Sequence, residues 1–386
     1  MMTPKERLVT ALEHGVPDRL PVTTHHVMPS FLKNFMNGID NDAFFDHFGL
    51  DPVRWIAAYR PDESRGDYLD PLHLPGYLEA HRVASDRWRI YPETVADPQY
   101  DTMRYRFVTP KKTLTMTLQS NEHTSWVTER LIKEKSDIDI LAEFMTSPLC
   151  DTAEVNRQAA LYGERGLIRG FFPTFDVYGQ PGCWQDASVL FGIEGLILAT
   201  YDDPGWVDAF LKILQGRKAT YLRSMKGARF DVIEHGGGDA SSTVISPKIF
   251  DRFVAPYDAP LIEIAHEAGQ RVVYHTCGGM MPFLERLADL APDAMETLTP
   301  PGMGGDMRLA EAKKRIGGRV AMIGGVDQFH FFRGCTPAET RREVRRCFEE
   351  AGSGGGYILS PSDHFFEADA PLLEAFADEA RRCTYS

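Results

Sequence analysis

The sequence feature best suited to chemistry is the stretch Tyr274-His275-Thr276-Cys277-Gly278-Gly279. If His275 ends a β-strand, then Cys277 lies two residues further on and points to the same side. An imidazole and a thiolate at that separation can bind one zinc ion, which needs one or two further ligands. The pair is equally compatible with a buried histidine that donates to a carbonyl group beside an inert cysteine. The spacing therefore leaves a zinc site and a structural pair open.

A third zinc ligand has to come from another strand end. Asp363 follows the last predicted strand and is one candidate, and Glu234 and Glu296 are two others. A carboxylate oxygen is an ordinary zinc ligand, so all three candidates stay open at this point.

Polar residues end most of the other predicted strands as well. A strand end needs a polar residue simply to begin a loop or to cap a helix, so a single one carries little weight. In a barrel the carboxyl ends of the strands form the active-site face, so the whole set is informative. We predict catalytic roles for Asp239, Glu234, His235 and Asp363, and substrate contacts for His25, His26, Asp176, Tyr178, Glu296, Asp327 and His364.

The stretch Gly236-Gly237-Gly238-Asp239 follows one of these strands. Glycines allow a ligand to approach the backbone closely, or a loop to adopt positive φ. Asp239 can then accept a proton or a hydrogen bond from the ligand. The same stretch is also typical of a flexible turn whose aspartate caps the next element. Both interpretations stay open at this point.

The elements that position these residues alternate between helices and strands. Thr3-Pro4-Lys5-Glu6 and Thr336-Pro337-Ala338-Glu339 have the pattern of a capping box, which predicts helix starts. Short, mostly apolar strands between helices are typical of a parallel sheet. We predict eight such strands, which favour a closed barrel over an open sheet. They are Leu20–Thr24, Val53–Ala57, Leu167–Phe171, Phe230–His235, Arg271–His275, Ala294–Leu298, Arg319–Ile323 and Gly356–Ser360.

The segment from about 85 to 131 has a different pattern. Stretches such as Met103-Arg104-Tyr105-Arg106-Phe107 alternate in period two and are separated by turn residues. This pattern predicts an antiparallel meander inserted after the second strand. The predicted fold class is therefore α/β, a (β/α)₈ TIM barrel with an antiparallel insertion. We expect residues 1–386 to form one domain.

Composition excludes several classes of function. The net charge of -13 repels phosphate backbones, and no long Lys/Arg run offsets it, so we expect no nucleic-acid binding. No stretch has the ~20 apolar residues of a membrane span. Charged residues follow the N-terminus without an apolar signal core, and the cysteines are scattered, so we expect a cytoplasmic protein. No dinucleotide or P-loop glycine pattern follows an early strand.

Several stretches, taken in order, resemble the uroporphyrinogen decarboxylase superfamily. They cover the start of the chain and nearly all of its second half. They are Thr3-Pro4-Lys5-Glu6-Arg7, Pro17-Asp18-Arg19-Leu20-Pro21-Val22, Gly237-Gly238-Asp239, His275-Thr276-Cys277-Gly278, Glu296-Thr297-Leu298-Thr299-Pro300-Pro301, Ile323-Gly324-Gly325-Val326-Asp327 and Ile358-Leu359-Ser360-Pro361-Ser362-Asp363.

The resemblance implies a (β/α)₈ barrel with one of two activities. One is decarboxylation of uroporphyrinogen without a cofactor, for which the family uses an arginine-rich stretch after the first strand. Here that stretch is Thr23-Thr24-His25-His26-Val27-Met28-Pro29, without arginine. The other is zinc-dependent methyl transfer between a corrinoid and a thiol or similar acceptor. That branch has a pair like His275 and Cys277 and a later cysteine, which Asp363 or His364 replaces here.

The methyl-transfer branch fits the sequence better, and the resemblance to it implies His275, Cys277 and Asp363 as the metal ligands, in a harder site than one with a second thiolate. We therefore predict a zinc-assisted methyltransferase or demethylase component, acting on a small molecule with a corrinoid carried by a partner protein. The first alternative is a carboxy-lyase without metal, in which Asp239 or another carboxylate stabilises a protonated intermediate. The second is a barrel that only binds a ligand. The sequence leaves the oligomeric state open, a homodimer included.

Overall fold

In a computed structural model of the chain, which describes residues 1–76 and 80–385, seven parallel strands form one curled sheet. Each strand pairs with the next one in the order β1 to β7. Helices and loops connect them, as parallel pairing requires. The strands are β1 (Val53–Trp55), β2 (Leu167–Phe171), β3 (Val232–Gly236), β4 (Val272–His275), β5 (Ala294–Thr297), β6 (Ala321–Val326) and β7 (Tyr357–Pro361).

The predicted first strand, Leu20–Thr24, is reduced to one parallel bridge between Val22 and Leu359 of β7. The Leu359 N–H donates to Pro21 O, and the Thr23 N–H donates to Leu359 O. The Asp51 N–H, just before β1, donates to Val22 O. This segment therefore lies between the two ends of the sheet, as in a TIM-like barrel. Proline lacks the N–H of a full ladder, which is one physical reason why this strand is short.

Two layers of buried apolar residues pack against the two faces of the sheet. Inside the curl, Val53, Leu167, Val232 and Val273 pack with other strand residues and with Leu8 of the first helix. The larger layer packs the outer face of the sheet against the helices. Both predicted capping boxes form. The helices are Pro4–Leu12, Pro29–Phe35, Asn41–Phe48, Asp137–Phe144, Thr152–Tyr162, Cys183–Phe191, Ile193–Asp202, Pro204–Ser224, Pro247–Ile249, Ala255–Glu267, Leu284–Asp289, Leu309–Ile316, Gln328–Phe331, Pro337–Ala351 and Ala370–Arg382.

The predicted insertion is present as a four-stranded antiparallel meander between β1 and β2. One face carries buried residues such as Ile90, Phe107 and Met116, and the other face is largely polar, which explains the alternating sequence. Two short antiparallel pairs flank it, Tyr59–Arg60 with Leu149–Cys150 and Asp67–Leu69 with Val83–Ser85. The meander strands are Arg89–Val95, Asp101–Val108, Thr113–Ser120 and Ser125–Glu129.

A search of the described helices finds none that combines the length and the apolar character needed to cross a membrane.

Candidate functional site

A cavity of about 460 Å³ opens at the carboxyl ends of the parallel strands. This is the end at which barrel enzymes hold their active sites. The segment after β2, from Thr174 to Pro181, forms a large part of its wall. Aromatic rings and imidazoles form much of the rest. They include Trp55, Tyr59, Phe171, Phe175, Tyr178, His25, His26, His275 and His364.

The predicted metal ligands come together on this cavity. His275 is the last residue of β4, and Cys277 lines the cavity with it, whereas Thr276 between them does not. His275 Nε2 lies 3.2 Å from Cys277 Sγ, and that sulfur lies 3.3 Å from Asp363 Oδ2. Zn–N and Zn–S bonds of about 2.0 and 2.3 Å at a tetrahedral angle place the nitrogen and sulfur about 3.5 Å apart. The two distances at the sulfur are close to this value, and the donor atoms of the three residues all lie within 4.8 Å of one another.

Gly278 lets the chain turn directly after Cys277. Its φ is +87°, and a Cβ at this position would lie 2.7 Å from Thr243 Oγ1. Its N–H donates to Thr299 Oγ1 across 3.2 Å. A side chain would be strained there whatever the space, so glycine is what holds Cys277 at this angle.

Asp363 reaches the site from the loop after β7. Burial alone would raise the pKa of this carboxyl group, but the hydrogen bond from His364 and the nearby His275 lower it. His364 Nδ1 lies 2.8 Å from Asp363 Oδ1, which leaves Oδ2 facing Cys277. Asp363 is therefore held as an anion with one oxygen directed at the candidate metal position.

A second cluster of ionic groups lies next to the first, around the buried guanidinium of Arg169. The Arg169 side chain donates to Glu234 across 2.6 Å and to both oxygens of Glu296. His25 Nε2 lies 3.0 Å from Glu234 Oε2 and 3.3 Å from Glu296 Oε1. The Arg169 guanidinium also lies over the Trp55 ring, 4.3 Å from its centroid. The cluster thus pairs two buried carboxylates with an arginine and a histidine.

The electrostatics of this cluster follow from those contacts. Burial alone would raise the pKa of Glu296, but Arg169 and His25 lower it well below its usual range. Burial alone would lower the pKa of His25, but Glu296 and Glu234 raise it. The cluster therefore favours ionised carboxylates and a protonated His25.

Within residues 1–76 and 80–385, two sets of residues have donor atoms close enough to hold a metal ion. One is His275, Cys277 and Asp363, and the other joins His25, Glu234 and Glu296 to His275. Arg169 already supplies a cation to both carboxylates of the second set, so a metal ion there would be repelled. The chemistry of the donors therefore fits zinc at His275, Cys277 and Asp363.

Glu296 connects the two clusters. Its Oε1 lies 2.9 Å from His275 Nδ1. If the Nδ1–H donates to this carboxylate, the Nε2 lone pair faces Cys277 and is free for a metal ion. Glu296, predicted as a substrate contact, does not line the cavity and instead orients a candidate ligand.

Other predicted substrate contacts do face the cavity. Asp176 and Tyr178 line it, as do His26 and His364, whose rings stack 5.0 Å apart. The Tyr178 hydroxyl donates to Ser125 O of the meander, so the insertion supports this wall. The structure thus brings these side chains to one cavity with the candidate metal ligands.

Two predicted residues, His235 and Asp327, do not line the cavity, so the structure does not bring them to the site as predicted. His235 is fully buried on the other face of β3, where its ring stacks on Phe172 and its Nε2 lies 3.0 Å from Asp258 Oδ1. Side chains alternate along a strand, so His235 cannot share the cavity with Glu234. Asp327 caps the helix Gln328–Phe331, which is a structural role.

Asp239, predicted as catalytic, stands behind the cavity wall. Its carboxylate accepts hydrogen bonds from Ser188 Oγ and from Gln185 Nε2, the latter across 3.1 Å. Gln185 and Gly238 line the cavity, whereas Asp239 does not. Through its hydrogen bond with Gln185, Asp239 orients a side chain that lines the cavity.

The sequence reasoning missed Arg169, Trp55 and Arg217. Arg217 is buried and pairs with Asp176 in the cavity wall. A signal for Arg169 was present, since an arginine stands at the centre of the short buried strand Leu167–Phe171. A charge at such a position needs a buried partner. Arg217 sits in a long amphipathic helix and carried no comparable signal.

A family model described as uroporphyrinogen decarboxylase (URO-D) matches residues 179–381. A protein named uroporphyrinogen decarboxylase from Chromohalobacter salexigens is 28% identical over 165 residues, which is 42% of this chain and 43% of that protein. A protein of the same name from Azotobacter vinelandii is 27% identical over 246 residues, 60% of this chain and 63% of that protein. The chain thus matches less than two thirds of the length of either relative.

Two solved structures share the fold along almost the whole chain. A methyltransferase from Methanosarcina mazei superposes with a TM-score of 0.63 at 14% identity, covering 99% of both chains. A B12-independent methionine synthase from Shewanella superposes with a TM-score of 0.50 at 10% identity, covering 94% of this chain and 98% of that one. Identities this low describe the architecture alone.

Proposed function

The chain belongs to the uroporphyrinogen decarboxylase (URO-D) family, and from this membership we propose that it is a zinc-assisted methyltransferase or demethylase. It would move a methyl group between a small methylated substrate or a thiol and a corrinoid carried by a partner protein. The observation that carries the proposal is the meeting of His275, Cys277 and Asp363 on one cavity at donor spacings that suit zinc. Two solved structures that share the fold also carry methyltransferase or methionine synthase names.

The residues of the chain would divide the work in the following way. His275, Cys277 and Asp363 would hold zinc, which as a Lewis acid lowers the pKa of a bound thiol or polarises a bound heteroatom. Glu296 fixes the ring of His275 through Nδ1. His25, held by Glu234, presents an imidazole edge to the cavity and can donate a hydrogen bond to a substrate heteroatom.

The alternative activity is a carboxy-lyase without metal, as the names of the curated relatives suggest. The lining of the cavity argues against a substrate that is rich in carboxylates. Among the described residues that line it, Arg82 is the one arginine, and its guanidinium is bound to Asp70 across 2.7 Å. Recognition of several carboxylates calls for several unpaired arginines.

Metal analysis of protein purified without chelator tests the zinc site. We expect about one equivalent of zinc per chain, lost in the His275→Ala and Cys277→Ser variants and reduced in Asp363→Ala. Cys335→Ser is the matched control, because Cys335 is partly exposed as Cys277 is but does not line the cavity. Zinc content that stays unchanged in both ligand variants contradicts the proposed site.

Turnover assays separate the two activities. Transfer of a methyl group from free methylcobalamin to a thiol, followed by absorbance, supports methyl transfer if it is lost with the zinc ligands. Carbon dioxide release from uroporphyrinogen that persists in Cys277→Ser supports the lyase instead. The two assays use the same preparations, so a loss of folding affects both and is recognised.

A further inference from the structure

The charged side chains that line the described part of the cavity are paired within its own wall. Arg82 donates through Nε to Asp70 across 2.7 Å and through Nη2 to Leu72 O across 3.2 Å. Both Arg82 and Asp70 are almost fully buried. The guanidinium charge is therefore balanced before any ligand arrives.

Asp176 on the loop after β2 is balanced in the same way. One carboxylate oxygen accepts from the buried Arg217, and the other accepts from Trp88 Nε1 across 2.8 Å. Arg217 also donates to Thr146 O across 2.9 Å, so it is fixed by its own neighbours. Asp176 therefore has no unpaired charge to offer to a ligand.

Glu234, a lining carboxylate deeper in the cavity, is also paired. It accepts from the buried Arg169 guanidinium across 2.6 Å and lies 3.0 Å from His25 Nε2. Asp363 lies against His364, whose Nδ1 is 2.8 Å from Asp363 Oδ1. Each of these lining carboxylates therefore has a partner within the described wall.

The remaining surface is suited to an apolar body. Trp55, Tyr59, Phe171 and Phe175 present rings to a cavity of about 460 Å³. Pockets of about 300–1,000 Å³ hold drug-sized molecules, so this cavity accepts a compact ligand. Aromatic walls favour a flat ring system, which they contact by stacking or edge packing.

We propose that the cavity selects an uncharged, flat substrate that carries its methyl group on an ether oxygen or a thioether sulfur. A carboxylate or an ammonium group on the ligand would find no unpaired counter-charge in the described wall and would lose its own hydration. The identity of the transferred methyl group rests on the proposed function. The preference for an uncharged ligand rests on the ion pairs alone.

The test compares three ligands of nearly equal shape by calorimetry: 4-methoxybenzyl alcohol, 4-methoxybenzoate and 4-methoxybenzylammonium. We expect the uncharged alcohol to bind at least 10-fold more tightly than either ion. Tighter binding of either ion, or no measurable binding of any of the three, overturns the proposal. Because the readout is binding, a failure of methyl transfer in the assays above leaves this result interpretable.

Two variants each remove one charge of the Asp176–Arg217 ion pair. Asp176→Asn leaves Arg217 unbalanced, so the preference should shift about 10-fold toward the carboxylate. Arg217→Met leaves Asp176 unbalanced, so the preference should shift by a similar factor toward the ammonium ligand. Opposite shifts cannot arise from general loss of folding. If both variants keep the order of affinities of the original chain, the wall pairs do not set the selectivity.

The matched control is Arg7→Met. Arg7 is a buried arginine that pairs with Asp18 and Asp51 away from the cavity. The Arg7→Met variant should lose stability as Arg217→Met does, while the order of the three ligand affinities stays unchanged. A shift in this control equal to that of Arg217→Met would also overturn the proposal.

Discussion

Replacement of Glu296 by glutamine should weaken zinc binding about 10- to 100-fold, which corresponds to about 1.4 to 2.7 kcal/mol. The carboxylate oxygen Oε1 lies 2.9 Å from His275 Nδ1 and also accepts from Arg169. A neutral amide of the same shape keeps the packing but removes the charge that holds the Nδ1–H. The His275 ring then loses both its fixed tautomer and some of its basicity.

The assay is competition for zinc with a chromophoric chelator, read together with the free energy of unfolding. Asp51→Asn is the matched control. Asp51 is a buried carboxylate that pairs with Arg7 and Arg19 just before β1, so its loss removes a comparable buried charge. Both variants should lose about 3 kcal/mol of stability, the lower end of the cost of breaking a buried pair. Only Glu296→Gln should lose zinc affinity. If its zinc affinity stays within twofold of the original chain while stability falls in both, the positioning argument for Glu296 is refuted.

Three further predictions concern the surroundings of the site and the meander. Alkylation of Cys277 should be slowed by zinc while that of Cys335 is not, since Cys335 lies outside the cavity; equal protection of both by mass spectrometry would contradict the ligand assignment. Gly278→Ala should lower stability by about 1 to 3 kcal/mol and reduce zinc content, because its φ is +87° and it follows a ligand; wild-type zinc content in a folded variant would argue against it. For Glu129, burial alone would raise the pKa, but hydrogen bonds from Thr115, Thr117 and Lys133 lower it to about 2. Its stabilising contribution is therefore complete above about pH 4.5 and declines as the pH falls toward 2. Glu129→Gln should flatten that part of a stability-against-pH curve, and an unchanged acid dependence would refute the assignment.

Much of the fold could be predicted because its signals are local. The capping boxes at Thr3 and Thr336 depend on residues three positions apart, and both form. The strand Leu167–Phe171 has the bounds that its apolar run predicts. The meander shows its two-residue period directly in the sequence. The weakest prediction was Leu20–Thr24, where Pro21 interrupts the donors of a strand.

The differences between the predicted and the observed places of His235 and Asp327 have two causes. Both Glu234 and His235 were predicted to be catalytic, yet neighbours on a strand face opposite sides. The sequence shows the alternation but does not show which of the two faces lies toward the cavity. Asp327 was predicted as a substrate contact because it follows a strand. In the structure its side chain instead accepts a hydrogen bond from the His330 N–H and caps the helix Gln328–Phe331.

The sequence by itself determined the alternation of strands and helices, the inserted meander, and the placement of His275 and Cys277 on one side of a strand end. Those features follow from contacts within a few residues. Only the tertiary structure decided that Asp363 meets Cys277, that Arg169 lies between Glu234 and Glu296, and that Arg217 balances Asp176. The partners in these pairs lie 41 to 127 residues apart along the chain. Buried charges need counter-charges, but the curl of the sheet and the docking of its helices determine which residue supplies each one.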